Sequence, residues 1–201
     1  MILFVGFALA LLTVPLCRGD LRALARVELR GISLAIIAIL IQTVIVSVLP
    51  TTLPGSVAAF LHVGSFALAL TFLYVNRDIP AIGVMALGGF CNMLVITINH
   101  GVMPASPAAL RAAGKAARLH GEFRNSTTVN GAHLRWLGDV FAIPSSWPLA
   151  NVFSIGDVLL VLGATMFLHL VCGSRLTRAG RAAAPAPGAA PTPATDTAIA
   201  R

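Results

Sequence analysis

The sequence predicts an all-α fold, an integral membrane helical bundle with about five transmembrane helices. Composition is the first reason, since 57% of the 201 residues are hydrophobic and only 10% are charged, whereas about 25% charged residues is usual in soluble domains. The mean hydropathy of +0.89 is the second. The third is that apolar residues occur in long runs, and about 20 helical residues cross a hydrocarbon core about 30 Å thick. The same composition excludes a disordered protein and a disulfide scaffold.

Five apolar stretches are long enough to be spans, and none of them contains lysine or arginine. They are residues 1–17, 31–49, 55–75, 79–98 and 153–172. The first has the length of a secretory signal, but the basic residues follow it instead of preceding it, so we expect it to be retained as a span. Residues 101–152 then form an extramembrane loop, and residues 175–201, rich in alanine and proline, form a disordered tail.

The distribution of positive charge predicts the orientation. Four arginines lie within residues 18–30 and three follow the last span. Because cytoplasmic loops carry the excess of basic residues, we expect the N-terminus outside and the C-terminus in the cytoplasm of a bacterial plasma (inner) membrane. The loop 101–152 carries five basic residues on the outer side, but at such a length the rule loses force. The net charge of +7 therefore indicates topology and lipid contact, and we predict no nucleic-acid partner.

The arginines after the first span predict a short basic helix. Arg18, Arg22, Arg26 and Arg30 recur at helical spacing, and Asp20 is positioned to cap the start. Such a helix lies on the inner leaflet and contacts anionic lipid headgroups. A specific headgroup site or a site for a protein partner is the alternative interpretation.

A second short helix is predicted beyond the fourth span. Ser106 and Pro107 have the residue types of an N-cap and a first helical position. We expect the helix to run to about Leu119, with a loop over residues 121–135 after it. Its basic side chains share one face, typical of a solvated interfacial helix: Arg111, Lys115 and Arg118.

Ionisable residues inside the apolar stretches are candidates for function, because a charge at the bilayer centre costs roughly 2.5 to 3.5 kcal/mol. Asp157 is the only acid in these stretches. Ser154 and Asp157 have the spacing of a capping box, in which the carboxylate bonds the Ser154 amide at the positive end of the helix. The sequence leaves open whether Asp157 only caps the helix or also binds an ion.

Asn99 and His100 end the fourth span, where Gly101 and Pro104 indicate a helix stop. They provide an amide and an imidazole at the outer face. Asn92 lies two turns earlier on nearly the same helix face, and we expect it to bridge helices by hydrogen bonds, with a polar path as the alternative. The histidines are scattered along the chain, so no metal site and no cofactor is predicted.

Asp139 and Asp157 are the remaining pair of interest. They are separated by 18 residues, and a loop folded back on the start of the last span would bring the two carboxylates together. Paired carboxylates suit general acid/base hydrolysis.

Three motifs carry a family resemblance. Residues 99–104 (NHGVMP) close one span, 137–139 (LGD) follow with Pro144, and 151–157 (NVFSIGD) precede Gly163. This order, with Arg18-Gly19 after the first span, resembles an uncharacterised bacterial membrane family, domain of unknown function 5317, over roughly residues 1–174. His100 stands where the family pattern has glycine. The resemblance implies a polytopic inner-membrane protein and no established activity.

A looser similarity, to an enzyme family, suggests a reaction. Residues 88–92 (GGFCN) and 151–157 are loosely similar to motifs of lipoprotein signal peptidase, an intramembrane aspartyl protease. The departures are a missing aspartate just after Asn92 and the displacement of Asp157 by three residues. The similarity implies an intramembrane aspartyl hydrolase, for which the pair Asp139 and Asp157 would be the candidate catalytic acids in this sequence.

Three functional hypotheses result. In the first, a non-enzymatic protein binds or passes a small solute, ion or proton at an outer-face polar cluster. The members of that cluster are Asn99, His100, Asp139, Ser154 and Asp157. The second is the aspartyl hydrolase, and the third is a structural or accessory membrane subunit. We expect the first, because the catalytic pattern of the second is incomplete.

Overall fold

The computed structural model of the chain describes residues 2–47, 55–115, 126–129 and 131–177, and these are mostly helical. The α-helices are α1 (Ile2–Leu16), α2 (Ile32–Ser47), α3 (Gly55–Val75), α4 (Ile82–Ile98), α5 (Pro107–Ala112) and α6 (Ile155–Val171). The strands are β1 (Met103–Pro104), β2 (Ser126–Thr127), β3 (Asp139–Ile143) and β4 (Asn151–Ser154). Two 3₁₀ helices cover Leu21–Arg26 and Arg135–Leu137.

Each of the five apolar stretches forms a helix, so the helical part of the prediction is confirmed. Within the described residues, only α3, with 21 residues, is long and apolar enough by itself to cross a membrane, and the other four apolar helices are shorter. A helix of 17 residues, as in α4 and α6, is about 26 Å long, slightly less than a hydrocarbon core of about 30 Å. Five membrane crossings therefore stay a prediction.

The helices pack in an order that differs from their order along the chain. Helix α2 packs against α3, α3 against α4, α4 against α6, and α6 against α1. Helix α6 is thus packed against both α4 and α1. The buried residues Ala10, Val14, Leu168 and Cys172 form the core between α1 and α6.

Glycines allow α4 and α6 to approach closely. A Cβ atom at Gly88 would lie 2.6 Å from the carbonyl oxygen of Gly156, and one at Gly163 would lie 2.6 Å from the Met85 Cγ atom. Small residues let helix backbones come together in this way, which favours van der Waals packing and interhelical hydrogen bonds. Gly88 and Gly156 lie beside the polar residues described below.

Four helices end with a residue in the left-handed conformation just after the cap. These residues are Arg18 (φ 57°), His100 (φ 57°), Gly114 (φ 67°) and Gly173 (φ 60°). At the end of α4, the N–H of Gly101 donates to the Ile96 carbonyl at 2.8 Å, and the N–H of His100 donates to the Thr97 carbonyl at 3.3 Å. This pair of bonds is the Schellman motif, which satisfies the last carbonyls of a helix. The predicted helix stop after the fourth span is confirmed.

The short helix α5 ends earlier than the sequence prediction. The N–H of Lys115 donates to the Leu110 carbonyl at 2.8 Å and that of Gly114 to the Arg111 carbonyl at 3.0 Å. This Schellman motif terminates α5 at Ala112, so the expectation of a helix to about Leu119 was wrong. Arg111 therefore lies on the helix and Lys115 beyond it, and Arg118 is outside the described residues.

The loop after α4 folds into two small sheets. Strands β1 and β2 pair in parallel, which corrects the expectation of loop throughout residues 121–135. Strands β3 and β4 form an antiparallel hairpin with an irregularity between Asp139 and Phe141. Strand β4 runs directly into α6, so the hairpin is fixed to the start of that helix.

The basic segment and the beginning of the tail pack at the end of α6. The Asp20 carboxylate accepts the Arg22 N–H at 2.9 Å, which confirms the predicted cap, although the helix is 3₁₀. The N–H of Asp20 donates to the Cys172 carbonyl and the N–H of Arg175 to the Cys17 carbonyl, both at 2.9 Å. The predicted disordered tail 175–201 thus begins with ordered residues, and beyond Thr177 it lies outside the described residues.

Candidate functional site

A polar network of three side chains, Asn92, Ser154 and Asp157, joins α4 to the start of α6. The Asn92 Nδ2 donates to Asp157 Oδ1 at 2.9 Å, and the Ser154 Oγ donates to Asn92 Oδ1 at 2.8 Å. The Ser154 N–H donates to Asp157 Oδ2 at 3.0 Å, and the Asp157 N–H donates to Ser154 Oγ at 3.0 Å. The four bonds close a ring in which both carboxylate oxygens accept hydrogen bonds.

Local sequence explains half of this ring. Ser154 is the N-cap of α6 in an extended conformation, and it forms the predicted capping box with Asp157. The other half comes from α4, where Asn92 follows Gly88 by one turn. Because Gly88 and Gly156 let the two backbones meet, the Asn92 amide reaches the capping box. The expectation that Asn92 bridges helices is confirmed.

Burial makes this network energetically important. Asn92 is 3% exposed and Ser154 is fully buried, while Asp157 is half-buried. Asn92 lies six residues before the end of α4, which is about 9 Å along the helix axis. The N-terminal end of α6 carries partial positive charge and lies beside the Asp157 side chain. The arrangement therefore places an acidic side chain beside apolar surface.

Asn99, a predicted site residue, is buried at the end of α4 and bonds to backbone groups. Its Nδ2 donates to the His133 carbonyl at 3.0 Å and to the Val95 carbonyl at 2.7 Å, and its Oδ1 accepts the His133 N–H at 2.9 Å. The buried amide thus attaches the 131–137 segment to the end of α4. Its hydrogen-bonding groups are used within the protein, which supports a positioning role.

His100 is exposed and separate from the network. It takes the left-handed position after the cap of α4, where glycine is the usual residue. The position favours a helix-ending role for residue 100.

Asp139 lies at the start of β3, with its backbone opposite that of Ser154 in the β3–β4 ladder. It is 6% exposed, and its carbonyl accepts the Ser106 N–H at 2.9 Å. The loop therefore folds back on the start of α6, as the two-carboxylate hypothesis requires of the backbone. Of the five predicted site residues, the fold brings together Asp139, Ser154 and Asp157 and leaves Asn99 and His100 at the end of α4.

Two buried histidines also bond to groups at helix ends. His62 Nδ1 lies 2.7 Å from the Gly101 carbonyl oxygen. His169 lies between Thr13 and Ser174, with ring nitrogens 3.0 Å and 2.8 Å from their hydroxyl oxygens. Throughout the described ranges, no group of three or more His, Cys, Asp or Glu residues is arranged to hold a metal ion.

Asn76 was not predicted as a functional residue, and like Asn99 it bonds the backbone of a distant segment through its side-chain amide. Its Oδ1 accepts the Arg30 N–H at 2.9 Å, and its Nδ2 donates to the Arg30 and Phe72 carbonyls at 2.8 Å. The amide connects the end of α3 to the start of α2. An asparagine directly after the last apolar residue of a span was the available signal.

Comparisons with known proteins agree with the motifs. The profile described as "Family of unknown function (DUF5317)" matches residues 26–169. A Thermotoga maritima protein described as "Uncharacterized protein" is 28% identical over 106 residues, which cover 53% of this chain and 61% of that relative. The chain thus spans about three fifths of the relative's length. No solved structure matches the chain. Because the profile covers well over half of the sequence, the chain belongs to the DUF5317 family of unknown function.

Proposed function

We propose that the protein crosses a bacterial plasma (inner) membrane five times. Large apolar side chains are exposed on all five apolar helices, for example Phe4, Ile39, Phe60, Phe90 and Leu162. In water such surface is unfavourable, whereas a bilayer solvates it and requires only that backbone polar groups be bonded internally, as they are in helices. The slightly short helices are compatible with snorkelling flanks or local thinning of the bilayer.

The contacts between helix ends support an N-terminus outside and a C-terminus in the cytoplasm. Arg18 and Arg175 lie beside the paired ends of α1 and α6, and the Asn76 amide holds Arg30 at the end of α3. These arginines therefore lie where neighbouring helix ends meet. The positive-inside rule expects such a concentration of basic residues on the cytoplasmic side. The same end provides the proposed surface for anionic lipid headgroups, which Arg18, Arg22, Arg26 and Arg30 would contact.

At the opposite end, the proposed function is to bind or pass a small solute, ion or proton. The observation that carries it is the half-buried Asp157 carboxylate, which is held by Ser154 and by Asn92, a residue about 9 Å before the end of α4 along the helix axis. An ionised carboxylate only accepts hydrogen bonds. Among the candidate ligands it therefore suits a proton or a small cation best. Acids in membrane spans are typical of ion and proton pathways.

Flux measurements in proteoliposomes test this function. The full chain is reconstituted with a trapped pH dye, and proton entry is driven by a potassium diffusion potential; sodium uptake is measured in parallel. Asp157→Asn should reduce the flux to that of protein-free liposomes, because the ionisable group is removed while hydrogen bonding is largely kept. Asp78→Asn changes an exposed acid outside the network and should leave the flux unchanged.

The result that would overturn the transport proposal is a wild-type flux no greater than that of protein-free liposomes for both ions. A normal flux through Asp157→Asn would equally exclude Asp157 as the site. An effect of Asp157→Asn matched by Asp78→Asn would indicate a non-specific loss of surface charge.

An intramembrane aspartyl hydrolase is the second candidate. The observation in its favour is the register of β3 and β4, in which Asp139 lies opposite Ser154, three residues before Asp157. Under this hypothesis, both Asp139→Asn and Asp157→Asn would abolish cleavage of peptides that contain an apolar segment. Loss of ion flux without any such cleavage by the wild type would favour the first function. A protein inactive in both assays would correspond to a structural or accessory subunit.

A further inference from the structure

A cleft lies on the loop region, apart from the Asn92–Ser154–Asp157 network. Its volume is about 410 Å³, and its walls come from the 104–107 segment, residues 128–129 and 131–132, the 3₁₀ helix at Arg135 and Trp136, and Val140 of β3. Ligand sites for small molecules are typically about 300 to 1,000 Å³. The cleft is therefore large enough for a compact solute or a lipid headgroup.

The chemistry of its walls favours an anion. Among the described residues that line the cleft, Arg135 is the only charged one, and no acid accompanies it. Ser106 adds a hydroxyl group, and its side chain is not used to cap α5. A guanidinium presents a planar fork of donors that matches the oxygens of phosphate or carboxylate.

The same walls offer an apolar face. Trp136 lines the cleft and is 62% exposed, and two prolines, two alanines and two valines are among the other lining residues. An exposed indole buries apolar ligand atoms and keeps its N–H available for a polar partner. A ligand that carries an oxyanion next to a short apolar body would match both parts of the cleft.

The wall that carries Arg135 and Trp136 is fixed by contacts with neighbouring segments. The buried Asn99 amide bonds both backbone groups of His133, two residues before Arg135. On the other side, a Cβ atom at Gly138 would clash with the carbonyl oxygen of Pro104, so a glycine is needed for β3 to approach the 104–107 segment. A preformed wall lowers the ordering cost that a ligand would otherwise have to offset.

We propose that this cleft is a binding site for a phosphate-bearing ligand with a compact apolar body, and that Arg135 binds the phosphate oxygens. Phosphate is chosen because its non-bridging oxygens, of which a monoester has three and a headgroup phosphodiester two, can engage the guanidinium and the Ser106 hydroxyl together. The phosphate belongs either to a free phosphate ester or to a lipid headgroup. This site is independent of the proposed ion function and stands if that function fails.

The two tryptophans of the chain provide the readout. Trp136 lines the cleft, whereas Trp147 lies beyond β3 and does not line it. The full chain is purified in maltoside micelles, which contain no phosphate. Trp147→Phe leaves Trp136 as the only tryptophan, and Trp136→Phe leaves Trp147 as the control reporter. Glycerol 3-phosphate and short-chain phosphatidylglycerol are the two probes, titrated separately at constant ionic strength.

At least one probe should change the Trp136 emission saturably, with no saturable change in the Trp147 reporter. A response to glycerol 3-phosphate alone would identify a free ester as the source, and a response to phosphatidylglycerol alone would identify a headgroup. In the Trp147→Phe background, Arg135→Gln should weaken the binding about tenfold or more, because a charge-assisted bond is lost. Arg111→Gln, an exposed arginine that does not line the cleft, should change it less than about twofold.

Three results would overturn the proposal. Neither probe produces a saturable change at Trp136, both tryptophans respond alike, or Arg135→Gln binds as the parent does. Because Arg135 is exposed, its replacement should leave the melting temperature unchanged, and this measurement separates lost binding from lost folding.

Discussion

Removing the Asn92 side chain should weaken the contact between α4 and α6. Asn92→Ala deletes the bond to Asp157 Oδ1 and the bond from Ser154 Oγ. Side-chain hydrogen bonds between membrane helices contribute about 0.6 kcal/mol each on average, so two bonds contribute about 1.2 kcal/mol. One of them ends on a carboxylate, and bonds to charged groups contribute about 1.5 to 3 kcal/mol. Taking about 0.6 kcal/mol for one bond and about 1.5 to 3 kcal/mol for the other, the expected loss in unfolding free energy is about 2 to 3.5 kcal/mol.

Equilibrium unfolding in mixed detergent micelles measures this loss, and a double-mutant cycle assigns it. Asn92→Ala, Asp157→Asn and the double variant are compared with the wild type. Because the two side chains are in contact, the double variant should be more stable than the sum of the single losses predicts, by about 1 kcal/mol. Thr71→Ala, which removes an exposed hydroxyl bonded only within its own helix, is the control and should cost less than about 0.5 kcal/mol.

The reasoning is refuted if Asn92→Ala costs no more than the control, or if the two single losses add without coupling. Either result would mean that the ring of bonds contributes little and that glycine packing alone joins the helices.

Three further predictions follow from backbone geometry. His100→Gly should stabilise the protein by about 0.5 to 1 kcal/mol, because residue 100 has φ 57° and the left-handed strain of roughly 1 to 2 kcal/mol that glycine relieves exceeds the roughly 0.5 to 1 kcal/mol of conformational entropy that glycine loses on folding; a lower melting temperature would contradict this. Gly88→Ala should destabilise by about 1 to 3 kcal/mol through overpacking against the Gly156 carbonyl, whereas Gly83→Ala, with open space around it, should be neutral or stabilising; equal effects in thermal unfolding would exclude close helix contact as the cause. Asn99→Ala should speed protease cleavage within residues 131–137 by freeing the His133 backbone, and unchanged cleavage kinetics would show that the amide is not what holds the segment.

Features that depend on near neighbours in the chain were predictable. The capping box of Ser154 and Asp157 spans three residues, the Asp20 cap spans two, and the helix stop after Ile98 is encoded by the residues that follow it. Each involves a side chain and a backbone group within one helical turn, so residue type and spacing suffice.

Features that join distant segments were not predictable in detail. Asn92 was expected to bridge helices, but its partners are 62 and 65 residues away. Asn99 was expected at a binding surface, yet its amide bonds the backbone 34 residues ahead. The residue type shows that a buried side chain needs a hydrogen-bond partner, but it does not show which group the partner is. The order and rotation of the helices decide which groups meet. The cleft at Arg135 was missed for the same reason, since its walls come from separated segments.

Membrane crossing in a defined orientation is the central claim, and cysteine labelling in the full chain tests it most directly. The three native cysteines, Cys17, Cys91 and Cys172, are replaced by alanine. Single cysteines are then introduced at two exposed positions, Ser146 beyond β3 and Arg22 in the basic 3₁₀ helix. A membrane-impermeant maleimide should label position 146 in intact spheroplasts and position 22 only after permeabilisation. Equal labelling of both positions before permeabilisation, or labelling of position 22 alone, would contradict the account.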